Sequence, residues 1–596
     1  MLKMSVDEDK YTNGYLLNVP LLANLDIHSN GDDNDKIVAE NGDDVHDVNG
    51  ANGDDVNGGK ETNEYAFPRT FVETEECDQS DGKKKIQLLQ NSLFHHSCPT
   101  IYFGLKDEEI SIPDDIRKLL IWRLSAITPH LIKETVTRSG FKLIKEKNSE
   151  RKKWIATWCR HMKSPQFELL NDTQKVNHFP GCYQLGRKDR LSTNLRNFTP
   201  MFSGNRADYF HPNTYILPQD LSLLRKRWLL EEIKPKLLIL KPPASARGNG
   251  VAVINQLVQI PASAKVRKLH STKSAIVAQE YISNPCILTS NGPKFDLRVY
   301  VLVTSFYPLR VYIYPDGLVR FASEPYSVDN DKLDNLFIHV TNYCINKMNE
   351  SYEPNHCINS RSGHKWSLST LWKFLKETYP DVNVEQLWNQ IIDIVIKTLL
   401  TVQGPVFSLA RRHLKTPYNG FELLGFDIML DSHFKPWLLE VNISPSLKSE
   451  STLDYVVKSQ LIKDVMNTVG YRPPICEKKG SSAKCFHRSL TLDKLLGSEQ
   501  EKQTVFKSIH QFDLEILDDL SIRDLLCLAE AEDELTRCGK FVRILPSIQI
   551  SKYFAFFTKN SYFDHLLNAW EKQYADNRAK GISLLKNLCL EKISTV

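Results

Sequence analysis

Three polar side chains interrupt two apolar segments in the last third of the chain. Asp427 lies in "GFDIML", and Glu440 and Asn442 lie two residues apart in "LLEVNISPSL". A spacing of two residues places both side chains on one face of a strand. Buried charge is costly unless it is paired, hydrogen-bonded or bound to a metal. Each carboxylate alone is equally compatible with a structural role, but three hard oxygen donors on neighbouring strands favour a Mg²⁺ site.

A second group of charges occupies another predicted strand, "KFDLRVYV". Lys294, Asp296 and Arg298 alternate along this strand and therefore share one face. Arg320, in "GLVRFA", is also flanked by apolar residues. A buried arginine normally has an anionic partner. That partner is either Asp296 or a bound phosphate, and the sequence leaves both open.

A glycine-rich segment, "KPPASARGNG", joins two predicted strands and carries Lys241 and Arg247. It lacks Gly-Lys-Ser/Thr and no helix follows it, so it is neither a P-loop nor a dinucleotide fingerprint. The segment is compatible with a flap over phosphates or with a plain hairpin whose glycines allow the turn. Downstream, "HVTNYCINK" concentrates further hydrogen-bonding side chains.

The elements that must position these residues are mostly strands. Short apolar runs between Gly/Pro turns predict strands at "KLLILKP", "GVAVI", "AIVAQEYI", "FDLRVYVLVTSF", "LRVYIY" and "GLVRFA". Two helices follow at "WSLSTLWKFLKETY" and "VEQLWNQIIDIVIKTLLTV". The strands "LLGFDIML" and "PWLLEVNI" are predicted to form a hairpin through "DSHFKP". Near the C-terminus, Ser521 and Asp524 are spaced as a capping box, and Gly539 ends the predicted helix.

Composition indicates a soluble intracellular protein. The 596 residues are 41% apolar and 25% charged, with a net charge of +4. The 12 cysteines are scattered without a Cys-x-x-Cys pair, so we expect reduced thiols and no zinc ribbon. No signal peptide or membrane span is predicted.

Charge is distributed unevenly along the chain. "NGDD" recurs at Asn30, Asn41 and Asn52, and so polar a repeat predicts a disordered acidic tail over residues 1–95. Basic residues interleaved with aromatic ones cluster between Lys142 and Arg196. This density favours an anionic partner, either an acidic protein segment or nucleic acid, over an ordinary solvated surface.

The segments named above resemble, in this order, those of the tubulin tyrosine ligase-like amino-acid ligases. "QKVNHFPGCYQLGRKD" and "HPNTYILPQD" also fit, and the match covers roughly Ile101 to Tyr471. The C-terminal "AEDELTRCGKFVRILPS" and "YFDHLLNAWEKQY" look like the extension of the polyglutamylase branch, and of its type-4 members in particular.

The resemblance implies an α+β fold of the ATP-grasp type, in which two lobes hold ATP between antiparallel sheets. It divides the chain into the acidic tail, an N-terminal basic α/β domain (96–234), a central ATP-grasp domain (235–330), a C-terminal ATP-grasp domain with the metal site (331–475) and a helical extension (476–596).

The family's site residues carry over onto matching positions. ATP contacts are implied for Lys241, Arg247, Gly248, the hinge Gln279, Glu280, Tyr281 and Ile282, then Lys294, Phe295, Asp296, Thr341 and Asn342. Mg²⁺ ligands are implied at Asp427, Glu440 and Asn442, and free glutamate contacts at Arg320, Tyr343, Cys344 and Lys365. Arg298, Arg320 and Glu440 are the implied catalytic residues. Cys344 replaces the serine usual in the family, and Arg247 resembles the chain-initiating members.

The implied activity is an ATP-dependent ligase that adds glutamate to γ-carboxylates of glutamate side chains in acidic tubulin tails, through an acylphosphate. The alternatives are a glycylase or tyrosine ligase on the same fold, or a non-catalytic microtubule-binding protein. Other acidic proteins are further candidate substrates. A monomer without membrane or nucleic-acid partners is expected, in the cytoplasm and on the cytoskeleton, including the cilium or basal body.

Activity on tubulin is predicted to fall as salt rises, because the basic N-terminal region would attract the acidic tail and salt screens exposed charges within about 10 Å at 0.1 M. Initial rates of glutamate incorporation over a potassium chloride series would test this. A rate that does not change with ionic strength would contradict it.

Overall fold

The computed structural model describes residues 85–145, 153–202, 209–230, 237–245, 248–265, 275–474, 514–557 and 561–593. The NGDD repeats, Arg247 and part of the basic region lie outside these residues.

The strands and helices carry the following labels. The strands are β1 (Lys85–Gln87), β2 (Leu89–Gln90), β3 (Thr100–Ile101), β4 (Glu109–Ser111), β5 (Ile121–Leu124), β6 (Lys142–Lys145), β7 (Ala156–Trp158), β8 (Lys175–Val176), β9 (Thr214–Leu217), β10 (Leu238–Lys241), β11 (Ala252–Ile254), β12 (Ile276–Glu280), β13 (Phe295–Phe306), β14 (Leu309–Phe321), β15 (Lys365–Ser367), β16 (Glu422–Leu430), β17 (Pro436–Asn442) and β18 (Val542–Leu545). The α-helices are α1 (Asp114–Arg117), α2 (His130–Arg138), α3 (Tyr183–Gly186), α4 (Lys188–Phe202), α5 (Leu221–Leu230), α6 (Leu336–His339), α7 (Tyr343–Asn346), α8 (Leu368–Thr378), α9 (Val384–His413), α10 (Thr452–Val469), α11 (Ile522–Thr536), α12 (Tyr562–Tyr574) and α13 (Arg578–Ile593).

Folded structure extends further toward the N-terminus than the sequence predicts. The predicted tail ends at residue 95, yet β1 pairs with β4, and Leu88 and Phe94 are buried. The Ser92 hydroxyl donates a 2.5 Å hydrogen bond to Asp533, and the backbone N–H of Leu93 donates to the same carboxylate. This segment therefore packs onto the C-terminal extension, a long-range contact that the short, polar strands of the sequence do not reveal.

The first layer is a small parallel sheet with the strand order β6-β5-β7-β8. Helix α2 connects β5 to its neighbour β6, and β7 then lies on the other side of β5. Its core includes Trp122, whose ring centroid lies 5.6 Å from that of Tyr471. The α/β arrangement predicted for this region is present in the described residues.

Two antiparallel sheets follow. The smaller has the order β11-β10-β12-β9, and the larger has the order β15-β14-β13-β16-β17, with β18 also paired to β14. The strands predicted for both sheets are confirmed. The larger sheet contains strands from both sides of residue 330. The domain boundary predicted at residue 330 therefore divides a single sheet.

The hairpin of β16 and β17 is confirmed, and Asp431 organises its turn. One carboxylate oxygen of Asp431 accepts from the backbone N–H groups of His433 and Lys435, and the other accepts from the Trp437 indole at 2.9 Å. Phe434 adopts a φ of 59°, which completes the reversal. This turn fixes the pairing of Ile428 with Leu438, and a bulge beyond that pair places Asp427 opposite Glu440 on the adjacent strand.

The predicted helices α8 and α9 pack against the larger sheet. Helix α9 begins where the Asn383 side chain accepts from the N–H of Gln386, an N-cap contact. In the described part of the chain, α9 has the length and composition of a membrane span, although 67% of its apolar window is buried inside the protein. A helix buried in a protein core can have the same length and apolar composition.

The C-terminal extension shares the core of the larger sheet. The capping box of Ser521 and Asp524 is confirmed, and α11 ends at Thr536, shortly before Gly539. Strand β18, which the sequence analysis did not predict, pairs with β14. Arg310 on β14 and Glu534 on α11 form a buried ion pair at 3.1 Å.

The cysteines largely follow the expectation of free thiols. Those at 159, 182, 286, 344, 357, 527, 538 and 589 are free. Cys98 is an exception to the prediction, because it is disulfide-bonded.

Replacing Arg310 with alanine is predicted to lower the free energy of unfolding by about 3–5 kcal/mol, because Glu534 would remain buried without its ion-pair partner. Urea unfolding would measure the change. The matched control is Arg361→Ala, which removes an exposed pair with Glu377 and should cost less than about 1 kcal/mol. Equal losses in the two variants would contradict the structural role assigned to Arg310.

Candidate active site

A row of charged side chains crosses the larger sheet from one edge to the other. In order across the sheet, its members are Lys365 on β15, Arg320 on β14, Asp296 and Arg298 on β13, Asp427 on β16 and Glu440 on β17. Most other residues of these strands are apolar and buried. All members of this charged row are sequence-predicted site residues, and the structure brings them together.

Asp427 is held by two arginines. Arg298 donates from Nε at 2.6 Å and from a terminal nitrogen at 3.2 Å, and Arg320 lies 2.9 Å from the same carboxylate. Burial alone would raise the pKa of Asp427, but the two guanidinium groups outweigh burial and hold its pKa below the usual range. Asp427 is therefore an anion at neutral pH.

Arg320 joins two carboxylates of the row. It donates from Nε to Asp296 at 2.8 Å and from a terminal nitrogen at 2.5 Å, in addition to its contact with Asp427. The sequence left open whether Asp296 or a phosphate balances this arginine. In the structure, Asp296 and Asp427 both do so.

The proposed metal ligands meet at the β17 edge of the row. Asp427 and Glu440 both line the main cleft, and the Asn442 amide nitrogen lies 3.3 Å from a Glu440 oxygen. Lys188, at the start of α4, lies 2.9 Å from the other Glu440 oxygen. Two carboxylates and one amide are ligand types that suit Mg²⁺. The Asn442 amide also donates to the backbone carbonyl of Gly425 at 3.3 Å, and this side chain does not line the cleft.

The glycine-rich segment lies across the cleft from the charged row. Gly248 and Gly250 adopt φ values of 73° and 71°, which favour glycine, and a Cβ at Gly248 would clash with the Ile345 side chain. Lys241 enters the cleft from β10 and donates to Gln279 at 2.7 Å. Burial lowers the pKa of Lys241 to about 8.

The predicted hinge forms one wall of the cleft. Gln279, Glu280, Tyr281 and Ile282 all line it. Lys294 donates to the Tyr281 hydroxyl at 3.0 Å, and burial lowers the pKa of Lys294 to about 7.

The cleft lies between the two antiparallel sheets and has a volume of about 880 Å³, including the part open to solvent. Thr341 and Asn342 line it, as predicted. The Asn342 side chain also caps α7 by accepting from the N–H of Cys344 at 2.9 Å, so it has a structural role as well.

Six of the predicted residues that the structure describes do not line this cleft: Phe295, Arg298, Tyr343, Cys344, Lys365 and Asn442. Phe295 packs in the core with its ring 5.5 Å from that of Phe321, because it points to the opposite face from Lys294 and Asp296. Tyr343, Cys344 and Lys365 form an adjoining group. In it the Tyr343 hydroxyl donates to Glu450 at 2.9 Å.

Lys365 belongs to a buried network next to the cleft. Its ammonium group donates to Asp454 at 2.8 Å and lies 3.8 Å above the Tyr343 ring. Burial lowers the pKa of Lys365. Lys458 contacts the other oxygen of Asp454 at 2.6 Å.

Sequence reasoning missed several residues of the site. Lys188 contacts Glu440 and also donates to the backbone carbonyl of Ser245 at 3.0 Å, so it joins the metal-ligand edge to the glycine-rich segment. It lies in the basic run "RKDRLSTNLR", whose charge was the available signal. His339 shares a 2.9 Å hydrogen bond with the Tyr281 hydroxyl. Its place in "HVTNYCINK" was the available signal for it.

The sequence of this chain is similar to those of known proteins of one family. The profile of the Tubulin-tyrosine ligase family matches residues 167–479. Human tubulin monoglutamylase TTLL4 is 42% identical over 515 residues, which are 84% of this chain and 41% of that protein. Tubulin polyglutamylase ttll-4 of Caenorhabditis elegans is 37% identical over 509 residues, 85% of this chain and 80% of that protein.

The human relative named tubulin polyglutamylase TTLL5 is 30% identical over 77% of this chain. The chain spans about two fifths of the length of the human and mouse TTLL4 proteins. The predicted resemblance, including its type-4 character, is confirmed. The chain belongs to the tubulin-tyrosine ligase family.

Proposed function

We propose that this protein is an ATP-dependent ligase that joins free L-glutamate to the γ-carboxylate of glutamate side chains in tubulin tails. We base this on one feature of the cleft. Two lysines that suit phosphate, Lys241 and Lys294, line the same cleft as the carboxylates Asp427 and Glu440. The relatives named tubulin glutamylases supply the substrate class.

In this proposal the cleft is an ATP-grasp site. ATP lies between the two antiparallel sheets, with its adenine against the hinge from Gln279 to Ile282 and its phosphates under the segment of Gly248. Lys241 and Lys294 balance the phosphate charge. Arg247 would join them; it lies outside the described residues.

Asp427, Glu440 and Asn442 would hold Mg²⁺. When bound, the ion neutralises charge on the phosphates and orients them for transfer. Lys188 and Arg298 contact Glu440 and Asp427 and so keep these carboxylates oriented in the absence of a ligand.

Free glutamate would lie beside the charged row, where Arg320, Tyr343 and Lys365 offer donors to its carboxylates. Cys344 is a weaker hydrogen-bond donor than a serine hydroxyl. Its backbone N–H is already directed at Asn342, so the substitution changes only the side-chain contact.

The chemistry must make a carboxylate reactive toward an amine. An oxygen of the acceptor γ-carboxylate attacks the γ-phosphorus of ATP, releasing ADP and forming an acylphosphate. The amino group of glutamate then attacks the acyl carbon, and phosphate leaves with the oxygen that came from the acceptor. Arg298 and Arg320, fixed by Asp427 and Asp296, present positive charge where the transferring phosphoryl group passes.

The proposal includes addition of the first glutamate of a chain, which agrees with the names of the mammalian relatives. A cytoplasmic, cytoskeletal location, including the cilium or basal body, follows from the substrate.

Incubation with ATP, magnesium, tubulin and one labelled amino acid at a time tests the function. Label from glutamate alone is expected in tubulin. Label from glycine or tyrosine alone would identify one of the related ligases instead, and binding to microtubules without incorporation of any amino acid would identify a non-catalytic protein.

Glu440→Gln is predicted to lower the glutamylation rate by about a hundredfold or more, because it removes one of the charges that would position the phosphates. The matched control, Glu377→Gln, changes an exposed carboxylate that pairs with Arg361 and does not line the cleft, and it should keep the wild-type rate. Tubulin binding by Glu440→Gln should persist. Glutamylation by this variant at the wild-type rate would refute the metal-ligand assignment.

ATP affinity is predicted to fall as pH rises from about 7 to about 9. Burial lowers the pKa of Lys294 to about 7 and that of Lys241 to about 8, so both lose their charge over this interval unless phosphate holds the proton. Loss of the charge on each lysine lowers the ATP affinity by up to about tenfold per pH unit. Calorimetry in buffers of different ionisation enthalpy would detect proton uptake on binding.

The control for this prediction is Lys294→Arg, which keeps its charge throughout the interval. Its affinity should vary less with pH than that of the wild-type protein. An affinity of the wild-type protein that is constant or rises with pH would contradict the assignment of these lysines to phosphate.

A further inference from the structure

The segment "HPNT" (211–214) joins the two antiparallel sheets. Thr214 begins β9 and lies opposite Gln279 on β12, in the smaller sheet. The Nδ1 atom of His211 lies 2.9 Å from the backbone carbonyl oxygen of Leu438 on β17, in the larger sheet. The HPNT segment is part of the family resemblance, yet none of its four residues lines the cleft. Any effect of its side chains on a ligand in the cleft must therefore pass through a residue that does line it.

Gln279 is such a residue, and its buried side chain forms hydrogen bonds in two directions. The Lys241 ammonium group donates to its amide oxygen at 2.7 Å. On the other side, its amide nitrogen lies 2.9 Å from the Thr214 hydroxyl oxygen and 3.4 Å from Nε2 of His211. An ammonium group can only donate, so the amide oxygen has to face Lys241 and the amide nitrogen has to face the HPNT segment.

His211 and Thr214 can accept from this amide because their own hydrogens are committed elsewhere. The Thr214 hydroxyl donates to the backbone carbonyl of Pro212 at 2.7 Å. Nδ1 of His211 must donate to the carbonyl of Leu438, since a carbonyl only accepts, and this leaves Nε2 of the neutral ring as an acceptor. The Ser192 hydroxyl, at 3.2 Å, donates to Nε2 as well. Burial lowers the pKa of His211 to about 4, so the ring is neutral at pH 7.

This polarity determines how Lys241 is held. If the Gln279 amide turned over, its nitrogen would point a donor at the ammonium group, and both acceptors on the HPNT segment would lose their donor. Lys188 and Arg298 lie against carboxylates, whereas the hydrogen bond of Lys241 goes to a neutral amide. A neutral acceptor fixes the direction of the ammonium group without cancelling its charge, which leaves that charge available to phosphate.

We propose that His211 and Thr214 are positioning residues for ATP, which hold Lys241 toward the phosphates by fixing the orientation of the Gln279 amide. This inference rests on the proposed function, because it is there that Lys241 balances phosphate charge. His211 and Thr214 do not themselves touch ATP in this proposal. They connect the phosphate lysine to β17, the strand on which Glu440 lies.

ATP binding, measured by calorimetry with magnesium and without an acceptor, tests the proposal. Thr214→Val keeps the shape of the side chain but removes the hydroxyl, and the ATP affinity is expected to fall about tenfold, as for a lost hydrogen bond that supports a charged group. Thr214→Ser keeps the hydroxyl and should bind ATP within about twofold of the wild-type protein. The matched control, Thr137→Val, changes an exposed residue of α2 and should keep the wild-type affinity.

Adenosine separates the positioning of Lys241 from a general loss of structure. It has no phosphate, so its affinity, measured by competition with a fluorescent ATP analogue, should change less than about twofold in Thr214→Val. His211→Leu removes both ring nitrogens and should show the same selective loss of ATP affinity. Its control, His433→Leu, lies at an exposed position between β16 and β17 and should show no loss. Thermal unfolding verifies that each variant is folded.

A double-mutant cycle tests whether the effect passes through Gln279. In Gln279→Leu no amide remains to be oriented. Adding Thr214→Val to that variant should therefore weaken ATP binding by less than about twofold further. Independent effects of the two substitutions would multiply instead.

Wild-type ATP affinity in both Thr214→Val and His211→Leu would overturn the proposal. Equal losses of ATP and adenosine affinity would also overturn it, as would full multiplication of the losses in the cycle. Failure of the proposed function has a different signature. In that case the wild-type protein adds no glutamate to tubulin, yet ATP binding by the variants still decides the role of the HPNT segment. A wild-type protein that binds no ATP would overturn both.

Discussion

The candidate site depends on one constraint, which is that opposite charges must be balanced inside an apolar sheet. The charged row crosses the sheet on strands whose other positions are mostly apolar. Isolated charges there would be very costly, and the structure meets this cost by pairing Asp427 with Arg298 and Arg320, and Asp296 with Arg320. The same pairing gives each arginine a fixed direction.

Other parts of the fold support this row. The turn at Asp431 and the bulge next to Ile428 together place Asp427 opposite Glu440. Helix α4 brings Lys188 to Glu440 and to the glycine-rich segment. The C-terminal extension adds β18 to the edge of β14 and fixes that strand through the buried pair of Arg310 and Glu534. Since β14 also carries Arg320, the extension helps to hold the strand on which Arg320 lies.

Sequence patterns predicted much of the sheet and of the row. Alternation placed Lys294, Asp296 and Arg298 on one face, and apolar flanks marked Arg320 and Asp427 as buried; the structure agrees. The same alternation should have excluded Phe295, which the family resemblance introduced. Lys188 could not be found by local pattern, because only tertiary packing of a helix remote in sequence brings it to Glu440. The early start of the fold near Lys85 was missed for the same reason, since Asp533 anchors that segment.

In the proposed function, the charged row activates an acceptor carboxylate by transfer of phosphate from ATP. Its most direct test uses an acceptor peptide whose γ-carboxylate carries heavy oxygen, incubated with the protein, ATP, magnesium and glutamate. Mass spectrometry of the released phosphate should find one labelled oxygen for each glutamate joined, because the acylphosphate passes that oxygen to phosphate. Glutamate joined to the peptide with unlabelled phosphate would contradict the account.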